Sequence, residues 1–174
     1  MDIVKMGRQN LADINKASQP FEIIGKIKPA LADGVWTYTE ELYDHPGMKT
    51  YPNDPRDCAA YINDPDKAIF LAYSGTACVG QLILKSDWNG YALIEDICVA
   101  RSVRGQGIGT AFIRKAIEWA KDSGLKGLAL ETQDDNVLAC RFYAKCGFVM
   151  GGVNTMLYRN FNQEAYAIFW YLPF

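Results

Sequence analysis

The alternation of hydrophobic and polar positions becomes regular only after residue 67. Residues 68–73, 79–85 and 91–99 are short apolar segments separated by turn residues, which predicts three neighbouring strands, the first two forming an antiparallel hairpin. After Gly109, apolar side chains recur at helical spacing up to Ala120, with charged residues between them. This spacing predicts an amphipathic helix that begins directly after a glycine-rich segment.

Strands and helices alternate over the rest of the chain. Residues 128–132 are predicted to form a strand and residues 136–145 a second helix that ends at Gly147. Another strand is predicted to begin at Phe148, and residues 165–172 are predicted to form the last strand. This order predicts a mixed α/β sheet rather than a helical bundle or a β-sandwich.

The first 65 residues carry weaker signals. Residues 2–6 are predicted as a strand, 9–18 as a short helix and 35–39 as a strand or extended segment. Residues 44–65 contain Asp-Pro and Asn-Asp pairs, which are typical of a long loop, and His45 is expected in a turn at its start. A loop of this length in a compact domain often shapes a binding site.

Composition narrows the classes of function. A chain of 174 residues with 49% hydrophobic side chains is expected to form one domain, residues 1–174. Its 18 basic and 20 acidic residues give a net charge of -2, which does not support nucleic-acid binding and favours a cationic ligand. The sequence has no long apolar segment and no signal-peptide pattern at its start, so a cytoplasmic protein without a membrane partner is expected. The single histidine and the lack of a Cys-x-x-Cys pair predict no metal site.

The glycine-rich segment is the strongest candidate for chemistry. Because it follows a strand and opens a helix, its backbone N–H groups should converge on an anion, and glycines would let a diphosphate approach the backbone. The alternative is that the glycines only fit a tight turn. The spacing matches neither a P-loop nor a dinucleotide fingerprint. The residues are Arg104, Gly105, Gln106, Gly107, Ile108 and Gly109.

This Arg-x-x-Gly-x-Gly segment, with its preceding strand, resembles the pyrophosphate-binding motif of the GNAT superfamily of N-acetyltransferases. Residues 136–148 resemble the second motif of that superfamily, with Asn-x-x-Ala, Phe-Tyr and Gly-Phe in order. The resemblance covers about residues 68–155. Within the superfamily, residues 130–133, 143–148 and 169–171 most resemble the streptothricin acetyltransferases.

The resemblance implies a fold and a cofactor. It implies a mixed, largely antiparallel sheet with a splayed central strand pair and helices on both faces. Residues 68–155 would form the acetyl-CoA-binding core, and the first 65 residues would lie on the substrate side. Residues 165–172 would form the last strand. Acetyl-CoA would be the co-substrate. Its pantetheine arm would pair with Ile97, Cys98 and Val99, and its diphosphate would be bound by the glycine-rich segment through Thr110. Asn136 would hold the pantetheine or an ordered water, although an ordinary helix N-cap is an equal alternative.

The resemblance also suggests catalytic roles. Tyr143 occupies the position of the frequent tyrosine general acid, which would protonate the departing thiolate; a packed tyrosine bonded elsewhere is the alternative. Adjacent carboxylates in a strand should point to opposite faces, and Glu95 and Asp96 resemble a pair found in polyamine acetyltransferases. Glu95 is expected to be a water-mediated base and Asp96 a substrate anchor, although the reverse assignment or a surface salt bridge also fits.

A streptothricin carries a β-lysine tail and a guanidine-like ring, so its pocket should have acidic and aromatic walls. A general polyamine or amino-sugar acetyltransferase is the competing enzyme hypothesis, and a non-catalytic acetyl-CoA-binding module is the hypothesis of another class. The aromatic segment 166–174 would pack internally or form a homodimer interface. The candidate pocket residues are Trp36, Tyr38, Glu40, Glu41, Trp88, Glu131 and Asp134.

Overall fold

A computed structural model describes residues 1–53, 56–161 and 164–174. The strands are β1 (Asp2–Lys5), β2 (Phe21–Ala32), β3 (Val35–Lys49), β4 (Lys67–Ser74), β5 (Ala77–Ser86), β6 (Ala92–Val99), β7 (Gly127–Gln133), β8 (Val149–Asn154) and β9 (Ala167–Pro173). The helices are α1 (Ile108–Asp122) and α2 (Val137–Lys145), with short 3₁₀ helices at Arg8–Asp13, Cys58–Tyr61, Arg101–Val103 and Arg159–Phe161. The predicted mixed α/β class with largely antiparallel strands is therefore confirmed.

The chain divides into two compact units. The first contains Met1–Pro20, Thr50–Leu128 and Phe174, and the second contains Phe21–Lys49 and Ala129–Pro173. The glycine-rich segment belongs to the first unit, whereas Tyr143 belongs to the second. In the described part of the chain, no helix is long and apolar enough to cross a membrane.

In the first unit, the strand order is β1-β4-β5-β6, and every neighbouring pair is antiparallel. Helix α1 packs on one face of these strands through an apolar stripe that includes the buried Phe112 and Ala116. A Cβ atom added to Gly80 of β5 would lie only 2.8 Å from the Phe112 ring. Glycine at this position therefore allows the helix to approach the sheet closely.

The other face of the same strands is covered by a second apolar cluster. Met6, Tyr61, Ile69, Leu71 and Ile83 form this cluster. Since side chains alternate along a strand, Ile83 shares its face of β5 with Gln81 and Lys85, and α1 lies on the opposite face. On this face, Gln81 contacts Asp96 and Lys85 contacts Glu95.

The second unit contains a long antiparallel hairpin, β2 and β3, that the sequence analysis largely missed. The strands are joined by Asp33 and Gly34, whose φ angles of 51° and 77° form the left-handed pair typical of a two-residue hairpin turn. Within the same unit, β7 neighbours β9 and β9 pairs with β8. Helix α2 packs against β2.

Two predictions for the first half of the chain were wrong. The helix predicted over residues 9–18 is only a 3₁₀ helix, Arg8–Asp13, followed by turns. The loop predicted over residues 44–65 begins later, because β3 extends to Lys49 and includes His45 and Pro46, which lie at an irregularity in its pairing with β2. Residues 54 and 55 of that predicted loop lie outside the described residues.

Candidate active site

The glycine-rich segment adopts the geometry expected of an anion site. Gly105 and Gly107 have φ angles of 78° and 86°, and Gly107 caps α1 without any side-chain hydrogen bond. The Ala111 N–H donates to the Gly107 carbonyl at 2.9 Å, so the amides of residues 108–110 precede the first helical hydrogen bond. These amides and the positive end of the helix dipole favour an anion.

The space in front of this segment is open to a ligand. A Cβ atom built on Gly105 or Gly107 would meet no heavy atom within 4 Å. These glycines are therefore required by their backbone conformation and not by packing against the protein. The geometry fits the diphosphate of acetyl-CoA.

Arg104 connects the glycine-rich segment to the end of β6. Its Nε donates to the Val99 carbonyl at 2.9 Å while the side chain stays exposed. Because this bond uses only one of several guanidinium donors, the same side chain can also contact a phosphate. Arg104 thus fixes the position of the segment relative to the strand that precedes it.

The residues predicted to contact pantetheine occupy the end of β6. Ile97, Cys98 and Val99 pair with Leu82, Gln81 and Gly80 of β5. Burial, with the nearby Asp96 carboxylate, raises the pKa of the Cys98 thiol to about 12. Cys98 is therefore a neutral thiol at physiological pH and would not compete as a nucleophile.

A β-bulge controls the direction of the Glu95 and Asp96 side chains. Ile83 pairs with Asp96 and the next residue, Leu84, pairs with Ile94, so Glu95 is the extra residue of the bulge. Glu95 contacts Lys85, and Asp96 contacts Gln81, and both of these partners lie on the Ile83 face of β5. The prediction that the two carboxylates point to opposite faces was therefore wrong.

The Glu95 carboxylate is held by three donors from distant parts of the first unit. The Tyr61 hydroxyl donates to Oε2 at 2.6 Å and Arg56 donates to the same oxygen at 2.9 Å, while Lys85 contacts Oε1 at 3.0 Å. Both carboxylate oxygens of Glu95 are thus engaged by protein groups, and its role as a water-mediated base stays a prediction.

Asp96 is oriented by a buried amide that sequence reasoning missed. Gln81 is only 2% exposed, and its Nε2 donates to Asp96 Oδ2 at 2.5 Å. The other end of the Gln81 amide accepts the backbone N–H of Asn15 at 2.8 Å. A lone glutamine within the apolar segment of β5 was the available sequence signal, because buried polar side chains need partners.

The surroundings of the Tyr61 hydroxyl, including its contact with Glu95, raise its pKa. Burial and the Glu95 carboxylate raise the pKa of Tyr61 from 10.0 to about 12. Because the folded-state pKa is the higher one, the resulting stabilisation is present below pH 10 and is lost as the pH rises from 10 to about 12.

In a rapid pH jump followed by tyrosinate absorbance, Tyr61→Phe should remove absorbance that develops near pH 12. Loss of absorbance near pH 10 instead would contradict the Tyr61 contact.

In the second unit, Asn136 caps α2. Its Oδ1 accepts the Ala139 N–H at 3.2 Å, which is the capping role considered as the alternative. The cap uses the side-chain oxygen and leaves the amide nitrogen as a donor. A role for Asn136 in binding pantetheine therefore stays compatible with its capping role.

Tyr143 is fixed by aromatic packing on α2. Its side chain is 5% exposed, and its ring meets those of Phe142 and Phe148 edge-on at 5.2 and 5.5 Å between centroids. Tyr143 lies on the buried side of α2 together with Val137 and Cys140. The ring is thus held rigidly, as a positioned proton donor requires.

The predicted pocket residues on β3 are engaged in structural contacts. Glu40 forms a two-bond ion pair with Arg141 of α2, in which Arg141 Nε donates to Oε1 at 2.9 Å. Tyr38 packs edge-on against the buried Trp170 with 5.9 Å between ring centroids, and Trp36 is half-buried beside the hairpin turn. Tyr38 and Glu40 thus have structural partners, and the substrate contacts predicted for the three residues stay predictions.

Trp88 lies at the opposite end of β6 from the glycine-rich segment, and its predicted substrate contact stays a prediction. The side chain is 93% exposed and lies in the turn before β6, whereas Val99 and Arg104 lie at the other end of that strand. At about 3.3 Å per residue, the length of β6 separates the two ends by roughly 23 Å. Trp88 therefore lies far from the glycine-rich segment.

Glu131 of β7 is the predicted pocket residue with the most unusual environment. Tyr158 donates to its Oε2 at 2.5 Å, while its Oε1 is buried and has no hydrogen-bond partner. Burial raises the pKa of Glu131, and the bond from Tyr158 opposes this shift. Tyr158 was not singled out in the sequence, where it stands among turn residues without a recognisable pattern.

A cavity of about 630 Å³ opens elsewhere in the second unit. Its lining includes Lys26, Lys28, Arg159, Glu164 and one of the predicted pocket residues, Asp134. With more cations than carboxylates, this cavity does not match the acidic and aromatic pocket expected for a cationic amine. In the described part of the chain, no group of three or more potential metal ligands comes together.

Comparison with known proteins identifies the class. Residues 29–148 match the Acetyltransferase (GNAT) family, and the chain belongs to this family. It is therefore an acetyl-CoA-dependent N-acetyltransferase, and the fold, the cofactor and the type of enzyme expected from its motifs are confirmed.

Particular relatives resemble nearly the whole chain. Streptothricin acetyltransferase A of Bacillus subtilis (strain 168) is 50% identical over 173 residues, which cover 99% of both chains. A proposed streptothricin acetyltransferase from Bacillus anthracis str. Ames, solved in complex with acetyl coenzyme A, has a TM-score of 0.92 at 35% identity and covers 99% of this chain and 98% of its own. A nourseothricin acetyltransferase structure has a TM-score of 0.83 at 26% identity, with coverage of 99% and 97%.

Proposed function

We propose that this enzyme transfers the acetyl group of acetyl-CoA to the β-lysine amine of streptothricin-type antibiotics and thereby gives resistance to them. The observation that carries the proposal is the 50% identity to streptothricin acetyltransferase A over 99% of both chains. The orientation of Asp96 supports it, because the carboxylate held by Gln81 would attract a cationic acceptor.

The cofactor residues proposed from the sequence fit the observed geometry. The amides of the glycine-rich segment through Thr110, with Arg104, are proposed to bind the diphosphate, since the helix start is uncapped and the space before it is open. Ile97, Cys98 and Val99 are proposed to contact pantetheine, with the free amide donor of Asn136 as a further contact. Tyr143 is proposed to protonate the departing thiolate.

Asp96 is the better of the two adjacent carboxylates to anchor an ammonium group. Gln81 fixes the orientation of Asp96 with a neutral donor, whereas Glu95 is already bound by Arg56 and Lys85. We propose that Asp96 binds the substrate and that Glu95 maintains the surrounding charges. The substrate contacts proposed for Trp36 and Tyr38 would be apolar ones.

A CoA-release assay tests the proposed acceptor. With acetyl-CoA and the purified enzyme, we expect turnover with streptothricin to have a kcat/KM at least tenfold above that with spermidine or glucosamine. Mass spectrometry should locate the acetyl group on the β-lysine moiety. Higher kcat/KM with spermidine or glucosamine would favour the general small-amine acetyltransferase, and release of CoA with none of the three would contradict both enzyme hypotheses and favour an acetyl-CoA-binding module.

Further proposals concern the cellular location and the partners of the enzyme. A cytoplasmic location is proposed because acetyl-CoA is the co-substrate. A homodimer through the aromatic segment 166–174 is proposed from the exposed Tyr166 and Phe174. Nucleic acid is not proposed as a partner, because the net charge is -2.

A further inference from the structure

We propose that Gln81 is a positioning residue that aims the Asp96 carboxylate at a cationic group of the acceptor other than the amine that is acetylated. This role rests on the proposed transfer of acetyl to a cationic amine. Gln81 is only 2% exposed and lies within the apolar segment of β5, so its amide is not accessible to a substrate. Its route to the reaction is Asp96, to whose Oδ2 the Gln81 Nε2 donates at 2.5 Å.

Asn15 gives the buried Gln81 amide a single orientation. The backbone N–H of Asn15 donates to Gln81 Oε1 at 2.8 Å, and Gln81 Nε2 donates to Asn15 Oδ1 at 3.1 Å as well as to Asp96. A backbone N–H only donates and a carboxylate only accepts, so the reversed amide would lose both contacts. The Gln81 side chain is therefore fixed from one end, and it fixes Asp96 at the other.

The segment that contains Asn15 also reaches the cofactor side of the first unit. Asn15 has a φ of 65°, a left-handed conformation that asparagine tolerates better than most residues. Four residues further on, Gln19 Oε1 accepts the backbone N–H of Arg101 at 2.8 Å. Arg101 begins the 3₁₀ helix that precedes the glycine-rich segment. One connecting segment thus contacts both Gln81 and the start of the proposed cofactor site.

Asp96 lies beside the proposed pantetheine contacts. Because Cys98 pairs with Gln81 and Asp96 pairs with Ile83, Cys98 and Asp96 share one face of β6. After burial, the Asp96 carboxylate is the next cause of the raised pKa of Cys98. Asp96 is only half-buried. A cofactor that extends from the glycine-rich segment along residues 99 to 97 would direct its acyl end towards Asp96.

The chemistry of acyl transfer indicates which cation Asp96 would bind. The attacking nitrogen must lose a proton before it forms the new N–C bond, and a carboxylate beside it would stabilise the unreactive ammonium. A second cationic group keeps its charge throughout the reaction, so binding it orients the acceptor without suppressing the nucleophile. The expected substrate class is therefore an amine with at least two cationic groups, as in a β-lysine tail.

A double-mutant cycle in the intact enzyme tests this role. Calorimetry measures streptothricin binding in the presence of CoA, which fills the cofactor site without supplying an acetyl group. Gln81→Leu should raise the Kd of streptothricin about tenfold, the effect expected for one hydrogen bond to a charged group. Asp96→Asn should raise it at least as much. Because Gln81 acts through Asp96, the double variant should match Asp96→Asn within about twofold.

Steady-state kinetics and two further variants distinguish positioning from a general loss of structure. Gln81→Leu should raise KM for the acceptor and leave kcat nearly unchanged. Tyr73→Phe removes a 2.5 Å bond to Asp13 near the same connecting segment, so it should lower the Tm without changing Kd or KM. Gln81→Asn keeps an amide on a shorter side chain. It replaces Gln81→Leu if that variant does not fold, and it should also raise the Kd.

Additive effects of Gln81→Leu and Asp96→Asn on the Kd would overturn the proposed role of Gln81, as would a lower kcat with unchanged KM. Binding of streptothricin without acetylation would refute the proposed function, whereas the Kd cycle needs no turnover and would still be measured. Tighter binding and faster acetylation of spermidine would refute the proposed acceptor, and the same cycle with spermidine would then test Gln81. Binding of neither amine would refute both proposals.

Discussion

Substitution of Gly107 by glutamate should weaken acetyl-CoA binding by about 100-fold or more, because like charges brought together at a binding surface cost several kcal/mol. The new carboxylate would occupy the open space in front of the helix start, where a Cβ atom meets no protein atom within 4 Å. It would also add backbone strain, since Gly107 has a φ of 86°. Isothermal titration calorimetry with acetyl-CoA measures the loss directly.

Backbone strain can be separated from charge repulsion with a matched glycine. Gly90 has nearly the same conformation, with a φ of 82°, and it also has no neighbour within 4 Å of an added Cβ. It lies in the turn before β6, away from the glycine-rich segment. Gly90→Glu should therefore lose stability to a similar extent while binding acetyl-CoA normally. Equal binding by both variants would refute the proposed diphosphate site.

The glycine-rich segment and its flanking elements could be predicted from the sequence because their signals are local. The helical spacing after Gly109 predicted α1, and the second helix was predicted within one residue of Val137–Lys145. Each helix buries one stripe of side chains against a sheet, and the apolar spacing that produces this stripe lies within a single segment of the sequence. The family motifs lie on the same stretches.

The β2–β3 hairpin could not be predicted as readily, because it depends on pairing between segments. Asp44, His45 and Pro46 have turn composition, but β3 continues through them to Lys49 and pairs there with the start of β2. Pro46 is tolerated because a proline can occupy a strand position where no ladder N–H is needed. The Asp33-Gly34 pair is a local signal for the turn of this β2–β3 hairpin, but it was not recognised as one.

For the candidate site too, some residues could be identified from the sequence, whereas their contacts could not. The sequence identified Glu95 and Asp96, but strict alternation predicted opposite faces, and a one-residue bulge reverses that conclusion. Arg56, Tyr61 and Lys85 reach Glu95 from other parts of the chain, so no local pattern links them to it. The contacts of Glu95 therefore could not be predicted from the sequence, and the roles of Glu95 and Tyr143 stay predictions.

Tyr143→Phe should lower kcat by about 100-fold and leave acetyl-CoA affinity nearly unchanged, because only the hydroxyl that would protonate the thiolate is removed. The ring contacts with Phe142 and Phe148 do not involve the hydroxyl, so the variant should keep its packing. Single-turnover kinetics measures the chemical step, and calorimetry measures cofactor affinity.

The pH profile distinguishes an acid from a packed tyrosine. If Tyr143 donates the proton, the wild-type rate should fall at high pH as its hydroxyl ionises, and Tyr143→Phe should lose this alkaline limb. Slower turnover with the alkaline limb intact would assign Tyr143 a packing role, and an unaltered rate would remove it from the mechanism.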